Sequence, residues 1–407
     1  MQPKIRFKGY TAEWNTVKIN KVLEKVKEND VKVVENELYR EIGIRSHGRG
    51  IFYKEPVLGK DLGNKSVFWV HPNVFVLNIV FAWERAVART TENEIGMIAS
   101  HRFPMYKPKA NLIDVDFITR FFITQKGKYL LELASPGGAG RNKTLGQKEF
   151  ENLQINIPSL EEQQKIASFF TLFDQKIDKQ QEKIEQLELF KKAMMQKIFS
   201  QEIRFKDENG KEFPNWKETY LGDIGETYGG LSGKTKDDFG IGESYFITYM
   251  NVFSNVVAQI EGVERVSIKE NENQHKVKLG DILFTTSSET PEEVGMASVW
   301  NHDIPDVYLN SFCFGFRLTH DVDPVFLAYM LRSSSYRKII TLMAQGSTRY
   351  NLSKTNLMKM KVHLPQKAEQ EKIKLLLLKL DQKILMETEK LNELKLIKKG
   401  FMQQMFV

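Results

Sequence analysis

One 44-residue segment is written twice in this chain. Aligned without a gap, residues 157–200 match residues 364–407 at 18 of 44 positions. The identities include Pro158/Pro365, Lys165/Lys372, Ile166/Ile373, the tetrapeptide DQKI at 174–177 and 381–384, Lys191/Lys398 and Phe199/Phe406. Self-similarity of that length marks an internal duplication, so the fold must use the segment in two equivalent roles.

Each copy repeats apolar residues in steps of four and three, the seam of a long amphipathic helix. The first seam runs through Ile166, Phe170, Phe173, Ile177, Ile184 and Leu187, and the second through Ile373, Leu377, Leu380, Ile384, Leu391 and Leu394. Gln180 and Lys191 interrupt the first, and Glu387 and Lys398 interrupt the second at the same places. Polar seam positions lower stability but fix register, and that role is assigned here; a solvated seam edge is the plainer alternative. Pro158 and Pro365 mark the helix starts, and Ser159-x-x-Glu162 predicts a capping box. About 40 residues rising about 1.5 Å each give rods of roughly 60 Å. Since one seam cannot stay dry alone, the two helices are expected to pack antiparallel; oligomerisation through the seams is the competing solution.

Similarity continues outside the helices. Ile5-Arg6-Phe7-Lys8 recurs as Ile203-Arg204-Phe205-Lys206, each followed by a tryptophan, Trp14 or Trp216. Asp114-Val115-Asp116-Phe117 resembles Asp321-Val322-Asp323-Pro324, and Arg141…Leu145 and Arg349…Leu352 stand in similar polar loops. Residues 30–100 and 225–310 share little. The layout is therefore two divergent globular segments, 1–156 and 201–363, alternating with two near-copies of a helix, 157–200 and 364–407.

The net charge of +7 favours an acidic partner, but it is uneven: +8 over residues 1–156, zero over 157–200, −4 over 201–363 and +3 over 364–407. If the second globular segment meets nucleic acid, its basic groups must be gathered on one face. The single cysteine, Cys313, excludes an internal disulfide and reads as a buried small hydrophobe between Phe312 and Phe314. A reducing, cytoplasmic setting is expected. No apolar run approaches the roughly 18 residues of a membrane span, and the N-terminus MQPKIRFKGY has no apolar signal core.

Catalytic patterns are near misses. GGLSGKT at 229–235 lacks the spacing of a phosphate-binding loop, and GGAGRNKT at 137–144 has Asn142 where the second glycine belongs. No [DN]-P-P-[YFW] tetrapeptide presents a flipped base, no GxGxxG cradles a cofactor, and seven scattered histidines show no ligand spacing. A chain that binds and organises, without catalysing, is expected. Two related reading units on rigid rods would read two unlike half-sites separated by unread DNA, since fused but diverged readers break the palindrome of a homodimer.

The stretches NIPSLEEQQKIASFFTLFDQKI and HLPQKAEQEKIKLLLLKLDQKI resemble the Pro-x-x-x-Glu-Gln-x-x-Ile helix starts of the specificity subunits of bacterial type I restriction-modification enzymes. TYGGLSGKT, LGDILFTT and QGSTRYNLSKTNL are similar to elements of that family's target recognition domains; the first globular segment lacks a clear LGDILF-like strand. The resemblance covers the whole chain. It implies an α+β fold: two mixed α/β target recognition domains alternating with two long antiparallel coiled-coil helices in a pseudo-two-fold internal repeat. It further implies a bipartite double-stranded DNA site, two methylation subunits docked on the repeats, and restriction (motor/nuclease) subunits joining them. S-adenosylmethionine, ATP and Mg2+ would belong to those partners, with no cofactor or metal on this chain.

Arginine, lysine, serine, threonine and asparagine suit phosphates, and arginine and asparagine also read purine edges. On that chemistry the DNA-binding candidates are Arg45, His47 and Arg49 in IRSHGRG, then Arg141, Asn142 and Lys143. In the second segment they are Ser232, Lys234, Thr235, Thr286, Ser287, Arg349 and Asn351. Solvated turns are the alternative for each group. Arg85 and Arg89, four apart, form a helical basic stripe or a solvated face, and the latter is favoured. A coiled-coil adaptor without sequence-specific DNA binding, or a self-contained DNA enzyme, are the rival functions.

Overall fold

The computed structural model describes residues 2–27, 31–63, 65–137 and 143–406, arranged as two compact units. Unit 1 takes residues 1–181 and 389–407, and unit 2 takes residues 182–388. Both long helices form, as Leu160–Phe199 and Lys367–Gln404. Each unit therefore holds the first half of one helix and the second half of the other.

Within both units these halves run antiparallel. In unit 1 Phe169 meets Phe401 edge-on at 5.2 Å, and Phe170 stacks on Phe406 at 5.9 Å. In unit 2 Lys183 pairs with Glu387, and Lys191 with Asp381. Every seam residue named above is buried or half-buried, whereas Leu172, Leu189, Leu385 and Leu396, off the seam, are at least 59% exposed. The apolar stripe is thus covered inside each unit.

The polar interruptions have partners. Lys398 pairs with Asp174, and Lys191 with Asp381. The lysine of one copy meets the DQKI aspartate of the other, so the motif is a charged node between the helices. Arg120 adds a second cation to Asp174 at 2.8 Å, while the Tyr329 hydroxyl donates to Asp381. Gln180 is buried in the seam.

The Glu-Gln dipeptide that opens each helix organises the rest of its unit. Glu162 accepts a two-pronged fork from Arg6, both bonds at 2.7 Å, and Glu369 accepts the same from Arg204 at 2.8 Å. These forks hold both guanidiniums above their ordinary pKa. Gln163 and Gln370 each donate to the carbonyl of their proline, Pro158 or Pro365, at 2.9 Å. Their carbonyl oxygens accept the backbone N–H of Asp114 and Asp323 at 2.9 and 2.8 Å. Those aspartates cap the helices Val115–Ile123 and Pro324–Arg332, accepting from Phe117 and Phe326.

Two expectations are corrected by this frame. Asp114 corresponds to Asp323, not Asp321, because the helix cap and not the tetrapeptide sets the register. The capping box closes only halfway: Glu162 N–H donates to Ser159 Oγ at 3.4 Å, while the Glu162 carboxylate is taken by Arg6.

The sheets repeat as well. Asn15–Lys18 pairs with Gln154–Ile157 in unit 1, and Lys217–Tyr220 with Lys361–Leu364 in unit 2. Unit 1 contains a four-stranded antiparallel sheet in the order Leu23–Lys25, Met105–Pro108, Phe75–Leu77, Val87–Arg89. Unit 2 has Gly225–Gly229, Cys313–Leu318, Ile282–Thr285 and Ala297–Val299 in the same order. Phe75–Leu77 is therefore the counterpart of the LGDILF strand that the sequence did not reveal. Helix pairs Val115–Ile123/Gln125–Leu133 and Pro324–Arg332/Ser334–Met343 follow each sheet. Their aromatic contacts match too: Phe117 touches Trp14 and Phe406, and Phe326 touches Trp216 and Phe199. Cys313 is buried, as its aromatic neighbours led us to expect.

Candidate nucleic-acid interface

In unit 1 the IRSHGRG loop turns a hairpin between Ile42–Ile44 and Ile51–Tyr53. His47 at φ 63° and Gly48 at φ 67° make the turn, and a side chain on Gly48 would collide with Ile123 at 2.7 Å. The loop is pinned from behind: His47 N–H donates to the Glu84 carbonyl at 2.7 Å and Gly48 N–H to the Arg85 carbonyl at 2.9 Å. Arg45, His47 and Arg49 are exposed on this fixed turn. The Arg45 guanidinium lies 4.9 Å above the Phe52 ring and donates once, to the Ile51 carbonyl at 3.4 Å. Such a turn can present cations and an imidazole to a groove at little ordering cost.

The other unit 1 candidates separate. Lys143 is half-buried, its ammonium 5.6 Å from the Trp83 ring, while Arg141 and Asn142 lie outside the described residues. Arg85 and Arg89 are not on a helix: Arg85 follows a single 3-10 turn at φ 63°, and Arg89 ends the strand Val87–Arg89. Arg89 is paired with Asp116 and donates to Asn73 at 2.7 Å, so it serves packing and not a solvated face.

Unit 2 divides its candidates into two groups. Ser232 exchanges bonds with the Gln274 amide at 3.1 and 2.8 Å, and Thr235 opens a 3-10 turn by bonding Asp238. Lys234 points inward, its side chain 4% exposed, donating to the Ser267 carbonyl at 2.6 Å and to Glu272. That ammonium also holds the Glu272 carboxyl below its usual range. Lys234 therefore ties the loop down, and the strand before it enters a 3-10 turn with no phosphate-binding helix.

The second group converges. Strand Tyr350–Leu352 lies between Ser287–Ser288 and Ala344–Gln345, with Asn351 opposite Ser287. Thr286 adjoins them, its carbonyl accepting from Leu352 N–H at 2.9 Å. Arg349 and Asn351 are exposed, and Arg349 lines a cleft of about 410 Å3 with Tyr249, Met250, Glu289, Glu293 and Phe312. Met250 and Phe312 are 59% and 55% exposed. Arginine and asparagine address purine edges, a carboxylate accepts from the cytosine amino group, and apolar side chains meet a thymine methyl, so this surface has the chemistry of base readout. Met250, Glu289, Glu293 and Phe312 were not anticipated. Phe312 stands just before the strand Cys313–Leu318, whose Cys313 and Phe314 are both buried, and no periodic signal in the sequence marked it.

In the four-stranded sheet of unit 2, Asp281, 1% exposed and just before strand Ile282–Thr285, is a buried charged node. It accepts from Arg317 at 2.9 and 2.7 Å, from the Tyr228 hydroxyl at 2.7 Å and from Lys278 N–H at 2.8 Å. Burial and the adjacent carboxylate push the Tyr228 hydroxyl far up, so it stays a donor. Among the described residues no His/Cys/Asp/Glu group could hold a metal, and no helix is long and apolar enough to cross a membrane.

A family model described as the type I restriction modification DNA specificity domain matches twice, over residues 12–189 and 214–396. The type I restriction enzyme MjaVIII specificity subunit of Methanocaldococcus jannaschii is 26% identical over 272 residues, 63% of this chain and 62% of that relative. The match thus spans less than two thirds of the relative's length. Three solved structures share the fold at 15–16% identity. A chain from work on assembly and conformational transition of the type I R-M system superposes with a TM-score of 0.63, covering 98% of both chains. The S subunit from M. genitalium gives 0.56 over 100% of this chain and 99% of that one. The HsdS subunit from Thermoanaerobacter tengcongensis gives 0.52 over 97% and 96%.

Proposed function

The chain belongs to the type I restriction modification DNA specificity family, and from that premise we propose that it reads a bipartite, asymmetric DNA site for a modification and restriction complex. One observation carries the reading: the frame is duplicated while the surfaces it carries differ. Equivalent glutamates, glutamines, aspartates and tryptophans hold each unit, yet unit 1 offers the Arg45/His47/Arg49 turn and unit 2 the exposed Arg349 and Asn351, with Ser287 buried beneath them. Like frames with unlike readers match two unlike half-sites with unread DNA between them. We assign the reading to residues 1–156 and 201–363, and spacing and docking to 157–200 and 364–407.

The repeats also support a pair of identical partners. Leu189 and Phe190 are 65% and 51% exposed, and their repeat equivalents Leu396 and Ile397 are 69% and 39% exposed. Two methylation subunits would each take one such apolar pair, with restriction subunits joining them. Those partners would supply S-adenosylmethionine, ATP and Mg2+. Methyl transfer acts on a base taken out of the stack, so the methylation subunits must be held beside a particular base.

The test is methylation mapping across a genome with the chain co-expressed with its methylation subunit, native and Arg349→Ala. We expect a split asymmetric motif that requires this chain and changes at one half in the variant. An intact complex without sequence-specific methylation would refute the reading and favour a coiled-coil adaptor.

A further inference from the structure

Unit 1 carries a basic cleft that unit 2 does not reproduce. It has a volume of about 490 Å3 and is lined by the helix pair Val115–Ile123/Gln125–Leu133 and the last turns of Lys367–Gln404. Five cations line it, Arg85, Arg120, Lys395, Lys398 and Lys399, against the single carboxylate of Asp174. Asp174 is already engaged by Arg120 and Lys398. Arg85 makes one bond, to the Ile123 carbonyl at 3.2 Å, and the Nε atoms of Arg85 and Arg120 are buried without a hydrogen-bond partner. Lys395 and Lys399 are exposed. Positive charge is therefore in surplus here, with donors left over.

The equivalent cleft in unit 2 shows that the duplication alone does not create this surplus. It is lined by Lys191, Lys192, Arg332 and Arg337, but by two carboxylates, Glu188 and Asp381. Glu188 occupies the repeat position of Lys395. Arg332 and Arg337 are committed to main-chain carbonyls, among them those of Val252, Phe253, Gly295 and Glu292. The copies thus kept the lysines and the aspartate but diverged in net charge.

We propose that the unit 1 cleft is a phosphate site and that its occupant is the DNA backbone, held chiefly by Lys395 and Lys399 with Arg85 behind them. Continuity selects the occupant. Gly48 lines the cleft, and its neighbours Arg45, His47 and Arg49 are the exposed turn assigned to the first half-site. A duplex lying on that turn has phosphates at hand for the adjoining lysines, which hold them as point charges and read no sequence. The spacing helix thereby becomes part of the DNA-binding surface. This inference rests on the chain being a DNA reader.

The experiment uses the full chain assembled with its methylation subunits and a duplex bearing the mapped motif, with the dissociation constant measured from about 0.05 to 0.2 M salt. Each phosphate contact contributes about 0.9 to the slope of log affinity against log salt. Lys395→Gln with Lys399→Gln should lower that slope by about 1 to 2, weaken matched and mismatched duplexes alike by several-fold, and leave the methylated motif unchanged. Lys395→Glu installs the residue of the other copy, which the frame accommodates, and should act in the same direction. Lys390→Gln, exposed on the same helix outside the cleft, should change nothing.

An unchanged slope in the double variant overturns the inference, as does an equal loss in Lys390→Gln. So does a free-phosphate occupant: millimolar pyrophosphate or ATP binding to the DNA-free complex, lost in the double variant while the DNA slope stays native. If the native complex fails to discriminate the mapped motif, the DNA-reading premise falls and takes the inference with it. Normal discrimination with an unchanged slope sinks the inference alone.

Discussion

Glu369 is the place to measure how firmly a helix start is held. Its side chain is 0% exposed and accepts from Arg204 Nε and Nη2 at 2.8 Å and from Trp216 Nε1 at 3.1 Å. Glu369→Ala removes the charge and the two oxygens that accept these three bonds, while leaving Arg204, 20% exposed, with only the Phe213 and Pro214 carbonyls. Breaking a buried pair from one side costs about 3–5 kcal/mol, because the other charge remains. The fallback carbonyls place this case near the lower end, and the orphaned indole N–H adds about 1 kcal/mol, for roughly 3–4 kcal/mol together. At about 2–4 °C per kcal/mol for a unit of this size, Tm should fall by about 6–16 °C in calorimetry of the full chain. Arg204→Met with Glu369→Leu removes both charges and should lose less than Glu369→Ala alone. A shift under about 2 °C, or a double variant less stable than the single one, would refute the reasoning.

Three further outcomes follow from the same frame. Exchanging Lys191→Asp with Asp381→Lys should restore at least half of the about 1 kcal/mol lost in either single change, read as a double-mutant cycle in urea; no recovery would deny the pair its register role. Asp281→Ala, which strands Arg317 and Tyr228, should cost about 3–5 kcal/mol, and an unchanged urea midpoint would contradict that. Leu189→Lys with Phe190→Lys, or Leu396→Lys with Ile397→Lys, should each reduce the bound methylation subunits from two to one in mass photometry. Stability should stay within about 0.5 kcal/mol, because these side chains are exposed; retention of both subunits would refute the docking assignment.

What the sequence made legible is what side chains specify over a long stretch. The helix seams could be read because their period persists over both copies, and the echoes IRFK and Glu-Gln because Arg6 and Arg204, and Gln163 and Gln370, make the same bonds in each unit. The four-stranded sheets stayed hidden. Their shared order rests on backbone pairing, which VFVLNI and DILFTT satisfy equally well while sharing almost no residues at matched positions. Among the candidate residues, exposure was legible only where it follows from a turn, as at Arg45 and Arg349. Lys234 looked the same in the sequence, but its partners at Ser267 and Glu272 lie 33 and 38 residues away. No local pattern announces an ion pair of that span.

The contrast between frame and surface has a physical cause. A buried charge such as Glu162 or Glu369 cannot be changed alone, since its arginine would be stranded at a cost of about 3–5 kcal/mol, a large part of what holds a domain together. Two coordinated changes are needed, and a duplicated chain would have to make them without disturbing the helix both units share. The exposed residues carry no such penalty: replacing Arg349 or Arg49 alters stability by about 0.5 kcal/mol or less. Divergence after duplication therefore runs first through the exposed turns and strand ends and leaves the charged nodes in place. The DQKI aspartates belong to the same frame: each holds a lysine of the opposite copy, so a change at either end alone loses about 1 kcal/mol that only a matched change at the other end restores.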